Sequence, residues 1–367
     1  MRLHGLASSL WAGCVAVGVT VGLAWGAAAG PVLVIVGGAL QAENEAVFRA
    51  VLDRVGPEGR LGVLPTASGV PAETGPKAVG LFETYAGPGQ VVELIDIRHD
   101  TPEKAMDASY AERIAACDGL WFVGGVQSRI VAVFRPEGRD TPAYAAVLEV
   151  LERGGVVGGT SAGAAMMSDP MVRWGNSHEA LLIGRSDELP DWGVGVGRGM
   201  GLLPFGVTDQ HFVRRGRLGR LVVALETSGE TVGFGVGENS ALVVDLDDES
   251  AEVIGEPGVV AVELGEGAFE PMRVWHFEDG HAMRFELGGN GWSLVAEQDS
   301  AIDAATAAQA FGGRPRAYEG PDIFEVGVED GVVTLSKTEA FAEVQATTQA
   351  AWDEAMKESM ESAASAE

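Results

Sequence analysis

Residues 156–166 read Val-Val-Gly-Gly-Thr-Ser-Ala-Gly-Ala-Ala-Met. Two β-branched residues lead into glycines, Ser161 follows, and small helix-forming residues close the stretch. That pattern is a strand running through a tight turn, with a helix predicted over 164–168. The same alternation extends outward. Apolar β-branched runs at 31–36, 61–64, 91–97 and 120–123 predict strands. Between them a helix is predicted over 43–55, where Ala46, Val47, Ala50, Val51 and Leu52 share one face. Others are predicted over 77–85, over 101–116 with Thr101 as cap and Pro102 in the first position, and from Thr141-Pro142 to Gly154-Gly155. Strand–helix alternation of this kind predicts an α/β fold, a parallel sheet with helices on both faces. Ligands in such sheets sit beyond the carboxyl ends of the strands. Three glycine-rich turns lie there: Gly37-Gly38, Gly124-Gly125 and residues 159–163.

Composition limits what such a fold can serve. The 367 residues allow one large domain or two smaller ones, and 46% apolar with 21% charged residues is a globular mix. Acidic residues outnumber basic ones 53 to 25, a net charge of −28. That field repels phosphate backbones, so no nucleic-acid partner is expected, and it favours cationic or neutral ligands. Two cysteines, Cys14 and Cys117, are too few for a disulfide scaffold or a cysteine zinc site. No paired His/Asp/Glu helix motif is present, so neither a metal nor a cofactor is expected.

The chain opens Met-Arg-Leu-His, then runs without charge from 5 to 29 and ends in Ala27-Ala28-Ala29. Residues 1–29 therefore read as a cleavable signal peptide, which implies a secreted or periplasmic protein. Uncleaved, residues 5–29 could anchor it in a membrane. A strand starting at Pro31 leaves almost no tether, which favours cleavage. Cleavage removes Cys14 and leaves Cys117 alone, so no internal disulfide is expected. Residues 30–245 form the strand–helix domain. Residues 246–336 are acidic, turn-rich and β-like, an accessory β-rich region or an extension of that domain. Residues 337–367 form a helical Ala/Glu-rich tail, partly disordered at its solvated end.

The turn at 159–163 matches G-x-S-x-G, the nucleophile elbow. Glycines on both sides permit a crowded backbone, and a helix N-terminus favours developing negative charge. The alternative is a glycine-rich turn with a buried serine cap. Serine needs a base. Outside the leader the histidines are His99, His178, His211, His276 and His281. His211 follows Asp209 and Gln210 at the end of an apolar run, where polar groups need partners; it also reads as a solvated turn histidine. His99 lies near a strand end, His178 in a loop, and His276 and His281 in the accessory region. Arg214, Arg215, Arg217 and Arg220 form a basic run, with Arg217 and Arg220 on one helix face. It is either a solvated face or a carboxylate-recognising one. Glu238 stands among glycines in GFGVGENS (233–240), placed to orient a histidine; alone it would read as a surface turn.

The segments GGVQSRI (124–130), GGTSAGAAM (158–166), DQHFVRRGRLGRL (209–221) and GFGVGEN (233–239) resemble the cyanophycinase family, serine peptidases related to aspartyl dipeptidases. The resemblance covers about residues 31–245. The order Ser161, His211, Glu238 is the family's, not the Ser…Asp…His of α/β-hydrolases. The resemblance implies a class I glutamine amidotransferase-like, flavodoxin-like sheet. It implies an exopeptidase that cuts the poly-aspartate backbone of cyanophycin, which bears arginine on each side-chain carboxylate, and releases β-aspartyl-arginine. Ser161 would be the nucleophile, His211 the general base and acid, and Glu238 its partner. The oxyanion hole would be the N–H groups of Gly125 and Ala162, and substrate would meet Gln127, Asp209, Gln210, Arg215, Arg217 and Arg220. A homodimer is also implied. One departure is Val126, where the family has an acidic or amide residue (GGDQ or GGNQ). If that side chain binds substrate, preference differs here. The rival readings are a dipeptidase for N-terminal aspartyl peptides and a non-catalytic peptide-binding surface protein. Ser161 argues against an amidotransferase-like enzyme, whose nucleophile is cysteine.

Overall fold

All five residues of the first strand, β1 (Val32–Val36), are fully buried, which requires cover on both faces. The computed structural model describes residues 30–189, 192–289, 291–312 and 323–365, so the segment read as a signal peptide lies outside the described residues. Val32, Val34 and Val36 pack with Val47 and Phe48 of helix α1 (Glu45–Val55) and Phe82 of α2 (Pro71–Tyr85). Leu33 and Ile35 point the other way, into a cluster with Ile114, Ile130 and Val147. These come from α3 (Ala108–Ala115), α4 (Gln127–Phe134) and α5 (Pro142–Glu152). This is the period-two side-chain alternation of a strand between two helical layers. With β2 (Arg60–Leu64), β3 (Val91–Leu94), β4 (Gly119–Phe122) and β5 (Val156–Thr160), the parallel part runs in the order β1-β5-β4-β2-β3.

The rest of the sheet is antiparallel. After a small pair, β6 (Met171–Gly175) and β7 (Val194–Gly197), come β8 (Val207–Asp209), β9 (Val232–Val236), β10 (Ala241–Asp245), β11 (Ser250–Ile254), β12 (Val259–Glu263) and β13 (Met272–Phe277). Then follow β14 (Ala282–Gly288), β15 (Gly291–Ala296), β16 (Phe324–Glu329) and β17 (Val332–Lys337). β10 pairs antiparallel with β1, and β11, β14 and β15 extend it to nine strands. Short turns such as 246–249 leave no room for a crossover helix, so these strands must return antiparallel. A second sheet, β16-β17-β13-β12-β9-β8, has one parallel pair, β8 with β9. The sheets meet through apolar side chains: Phe205 stacks on Phe285 at 4.5 Å between centroids, and Phe234 meets Phe285 edge-on at 5.6 Å. The β-rich stretch beyond Asp245 thus extends both sheets. The remaining helices are α6 (Ala162–Ala165), α7 (Ser177–Ile183), α8 (Leu218–Ser228), α9 (Ala304–Phe311) and α10 (Phe341–Ser365).

Several local expectations change. The helix expected over 101–116 is a 3₁₀ turn, Pro102–Met106, followed by α3. Asp107 caps α3 by accepting from the Ser109 N–H, whereas Thr101 makes no cap bond; a carboxylate at an N-cap restarts the helix there. The helix after the serine turn is a single turn, 162–165. His178, read as a loop residue, is buried in α7, which Asn176 caps. Cys117 is buried, and burial pushes its thiol up to about 12, so it stays protonated and unreactive.

Candidate active site

Val36 and Thr160 are paired at the carboxyl ends of β1 and β5, so Ser161 leaves the sheet beside Gly37. Its N–H donates to Val36 O at 2.9 Å. Its φ of 54° and ψ of −106° hold the backbone in a region that side chains rarely adopt. The flanking glycines make this possible. A Cβ on Gly159 would lie 2.5 Å from Gly163 O, and one on Gly163 would lie 2.3 Å from Phe122 O. With one turn, α6 supplies little axial dipole. What it offers is the Ala162 N–H, which has no intrahelical acceptor. The Gly124-Gly125 turn lies alongside: a Cβ on Gly124 would be 3.9 Å from Ser161 Oγ.

The histidine and the carboxylate come from the second sheet. β8 and β9 run parallel, with Asp209 opposite Gly235, so the residues just past their ends are neighbours. The Gly37-Gly38 turn staples them to the first sheet. The His211 N–H donates to Gly37 O at 2.7 Å, the Asn239 N–H to Gly38 O at 2.8 Å, and the Gly37 N–H to Ser240 O at 3.1 Å. His211 and Asn239 take positive φ, 48° and 61°. Gly38 leaves room for the imidazole: a Cβ there would sit 2.4 Å from the ring.

Ser161 Oγ lies 3.0 Å from His211 Nε2, and His211 Nδ1 lies 2.6 Å from Glu238 Oε1. A carboxylate can only accept here, which assigns the proton to Nδ1 and leaves the Nε2 lone pair facing the serine hydroxyl. Burial pushes His211 below its ordinary value; the bond to Glu238 opposes this, and the charges of Arg215 and Arg217 add to it. The imidazole is therefore neutral at pH 7. Such a relay can take the serine proton as the oxygen attacks a carbonyl. The second carboxylate oxygen of Glu238 is 3.3 Å from Nε of the exposed Arg214.

Four of the six residues expected to meet substrate, Gln127, Asp209, Arg217 and Arg220, are turned inward instead. Arg220 grips Asp209 through both oxygens, at 2.7 and 2.5 Å, and donates to Gly175 O at 2.6 Å. The side chains of Arg220 and Asp209 are only 3% and 1% exposed, so their donors and acceptors are spent on each other. Gln127 is buried, and its amide donates to Val172 O and Arg173 O at 2.8 and 2.9 Å. Burial works to raise the Asp209 carboxyl, but Arg220, Arg217 and the Gln210 N–H outweigh it and hold it below the ordinary carboxylate value. Arg217 precedes α8 and donates to Gln210 O at 2.6 Å; burial and the charge of Arg220 push its guanidinium down. The arginines thus fix the backbone that carries His211. Gln210 and Arg215 remain beside the serine and histidine: Ser161 Oγ is 3.5 Å from Gln210 Oε1, and Arg215 is exposed.

The other histidines lie elsewhere. His99 follows β3, three strands from β5 and on the order of 14 Å away at the usual strand spacing. His276 Nε2 donates to Pro257 O at 2.6 Å, and His281 Nδ1 lies 3.0 Å from Ser300 Oγ. Spacing alone does not pair Arg214, a member of the basic run, with Glu238, nor does it assign a role to Gly38 under the imidazole or to Asn239. For Asn239 a signal existed, because asparagine is enriched at positive φ.

Val126 occupies the N-cap of α4 in extended conformation, makes no cap bond and is 45% exposed. An acidic or amide side chain there is placed to cap the helix. Val126→Asp is expected to stabilise the protein by about 1 kcal/mol, read as a higher denaturation midpoint at unchanged slope. No gain would mean that a carboxylate at this position does not cap the helix.

No model of a known protein family matches the chain. Curated proteins do. It is 31% identical over 258 residues to the cyanophycinase of Trichormus variabilis (strain ATCC 29413 / PCC 7937), covering 66% of this chain and 80% of that one. It is 30% identical over 237 residues to that of Geminocystis herdmanii (strain PCC 6308), covering 63% and 80%. Among solved structures, the crystal structure of a peptidase from an acI-B1 Actinobacterium has the same fold at a TM-score of 0.52 and 19% identity, over 70% of this chain and 97% of that one.

Proposed function

This chain belongs to the cyanophycinase family and is a peptidase, and from that premise we propose that it is an exported serine exopeptidase that degrades cyanophycin to β-aspartyl-arginine through Ser161, His211 and Glu238. The observation that carries the reading is the continuous relay from Ser161 Oγ to Nε2 at 3.0 Å and from Nδ1 to Glu238 at 2.6 Å. Ser161 Oγ attacks the backbone carbonyl carbon while Nε2 takes its proton, and Glu238 stabilises the imidazolium. The tetrahedral oxyanion faces the N–H groups of Ala162 and Gly125. Collapse breaks the C–N bond, and the leaving nitrogen takes the proton from Nε2. Water then adds to the serine ester, gives a proton to the same nitrogen, and releases the acid and the serine. Gln210 and Arg215 contact substrate at the opening. Export rests on the uncharged run 5–29, and the N-terminal residue of protein recovered from the producing cells tests it.

Incubating purified protein with insoluble cyanophycin and reading soluble products by mass spectrometry tests the activity. β-Aspartyl-arginine is the expected product. Cleavage of short N-terminal aspartyl peptides instead would move the assignment to an aspartyl dipeptidase.

The pH profile follows from the lowered value of His211. The base must be unprotonated, so kcat/KM rises with pH through the value of the free enzyme and then levels. Because burial outweighs Glu238, the midpoint of that rise is expected below 6.5. A midpoint above 6.5 would contradict it.

A further inference from the structure

Glu238 lines an open pocket of about 620 Å³ that does not include Ser161. Gln41, Arg214, Glu238, Asn239, Glu256 and Gln309 are among the residues that line it. The last two come from the β-rich stretch beyond Asp245: Glu256 from the loop between β11 and β12, Gln309 from α9. The loop is held at several points. The Gly255 N–H donates to Asp279 Oδ1 at 2.6 Å, Pro257 O accepts from His276 at 2.6 Å, and the Gly258 N–H donates to Ser240 Oγ at 2.9 Å. Gly258 O in turn accepts from the Gly237 N–H at 2.9 Å, tying the loop to the residue before Glu238. Glu256 is exposed on this anchored loop. The same pocket already holds one guanidinium, that of Arg214, against Glu238.

We propose that this pocket is a cation subsite that receives a guanidinium of the substrate, held by Glu256 with the amide oxygens of Gln41 and Gln309. The inference rests on the cyanophycinase reading, because the polymer carries an arginine on every aspartate. Arg214 and Glu238 offset each other, which leaves the Glu256 carboxylate to face an incoming cation. Glu238, which lines the pocket, is joined to Ser161 through the His211 imidazole by hydrogen bonds of 2.6 and 3.0 Å, and an arginyl branch spans two to three residues' length of chain, on the order of 7–10 Å. The β-rich stretch thereby takes a part in recognition as well as in the core.

The test uses Glu256→Gln and Glu256→Lys with oligomers of β-aspartyl-arginine, checking each variant's fold by circular dichroism. KM is expected to rise about threefold for the amide and about tenfold or more for the lysine, with the effect in KM and not in kcat, as for a partly exposed charged contact. Binding of L-arginine amide, measured by calorimetry, is expected to weaken in the same order. Unchanged KM and unchanged arginine-amide affinity in Glu256→Lys would overturn the subsite. If the wild type does not cut cyanophycin, the Ser161 reading fails on its own and arginine-amide binding still decides the pocket.

Discussion

Ser161→Ala is expected to reduce release of β-aspartyl-arginine by at least about 10⁴-fold, the scale seen when a hydrolase loses its serine nucleophile. The protein should stay folded. Ser161 keeps its turn through backbone bonds, and its side chain caps nothing in α6. Alanine carries the same Cβ, so the strained φ of 54° costs no more than before. His211→Ala should cost a comparable factor, and the double variant little beyond either single one, because the two act as a unit. Additive losses, or substantial activity in Ser161→Ala, would show that the relay is not the catalytic unit. Rates on soluble oligomers, with melting temperatures alongside, decide it.

The largest effect on stability is expected at Arg220. Arg220→Ala leaves the Asp209 carboxylate buried at 1% exposure without its bidentate partner, with a cost of about 3–5 kcal/mol. Arg217, at 3.7 Å from Asp209 Oδ1, compensates only in part. Denaturant unfolding measures the loss, and a change under about 1 kcal/mol would mean that the pair is not uncompensated on truncation. The pH dependence has a definite sign. The folded carboxyl of Asp209 is held below its unfolded value of about 4, so its contribution is complete above that pH and is lost as pH falls through the folded value. The wild type should therefore lose stability on the acid side, and Asp209→Asn should flatten that part of the curve while lowering the plateau.

The contrast between these two variants marks how far the sequence could be followed. Ser161 was legible because its conformation is set within a few residues: a β-branched run, glycines where neighbouring carbonyls come close, and small residues that begin a helix. The buried alternation of β1 was legible for the same reason. Arg220 was not legible. Its spacing from Arg217 suits an outward face that grips substrate as well as an inward one that grips Asp209. The direction is set by where α8 packs against β8 and the Gly175 carbonyl, which sequence spacing does not encode. Gln127 misled in the same way, and Val126 has a helix to cap that only the fold places there.

The sequence by itself determined the strand–turn–helix units, the elbow around Ser161 and the chain order of serine, histidine and glutamate, because each rests on local periodicity and local backbone freedom. Only the tertiary structure decided that β8 and β9 pair in parallel in a second sheet, that Gly37 and Gly38 staple His211 and Asn239 beside Ser161, and that Glu256 and Glu238 line one pocket. Those contacts join residues far apart in the chain. Which of them form depends on the burial of whole sheet faces, and that is settled when the sheets pack together.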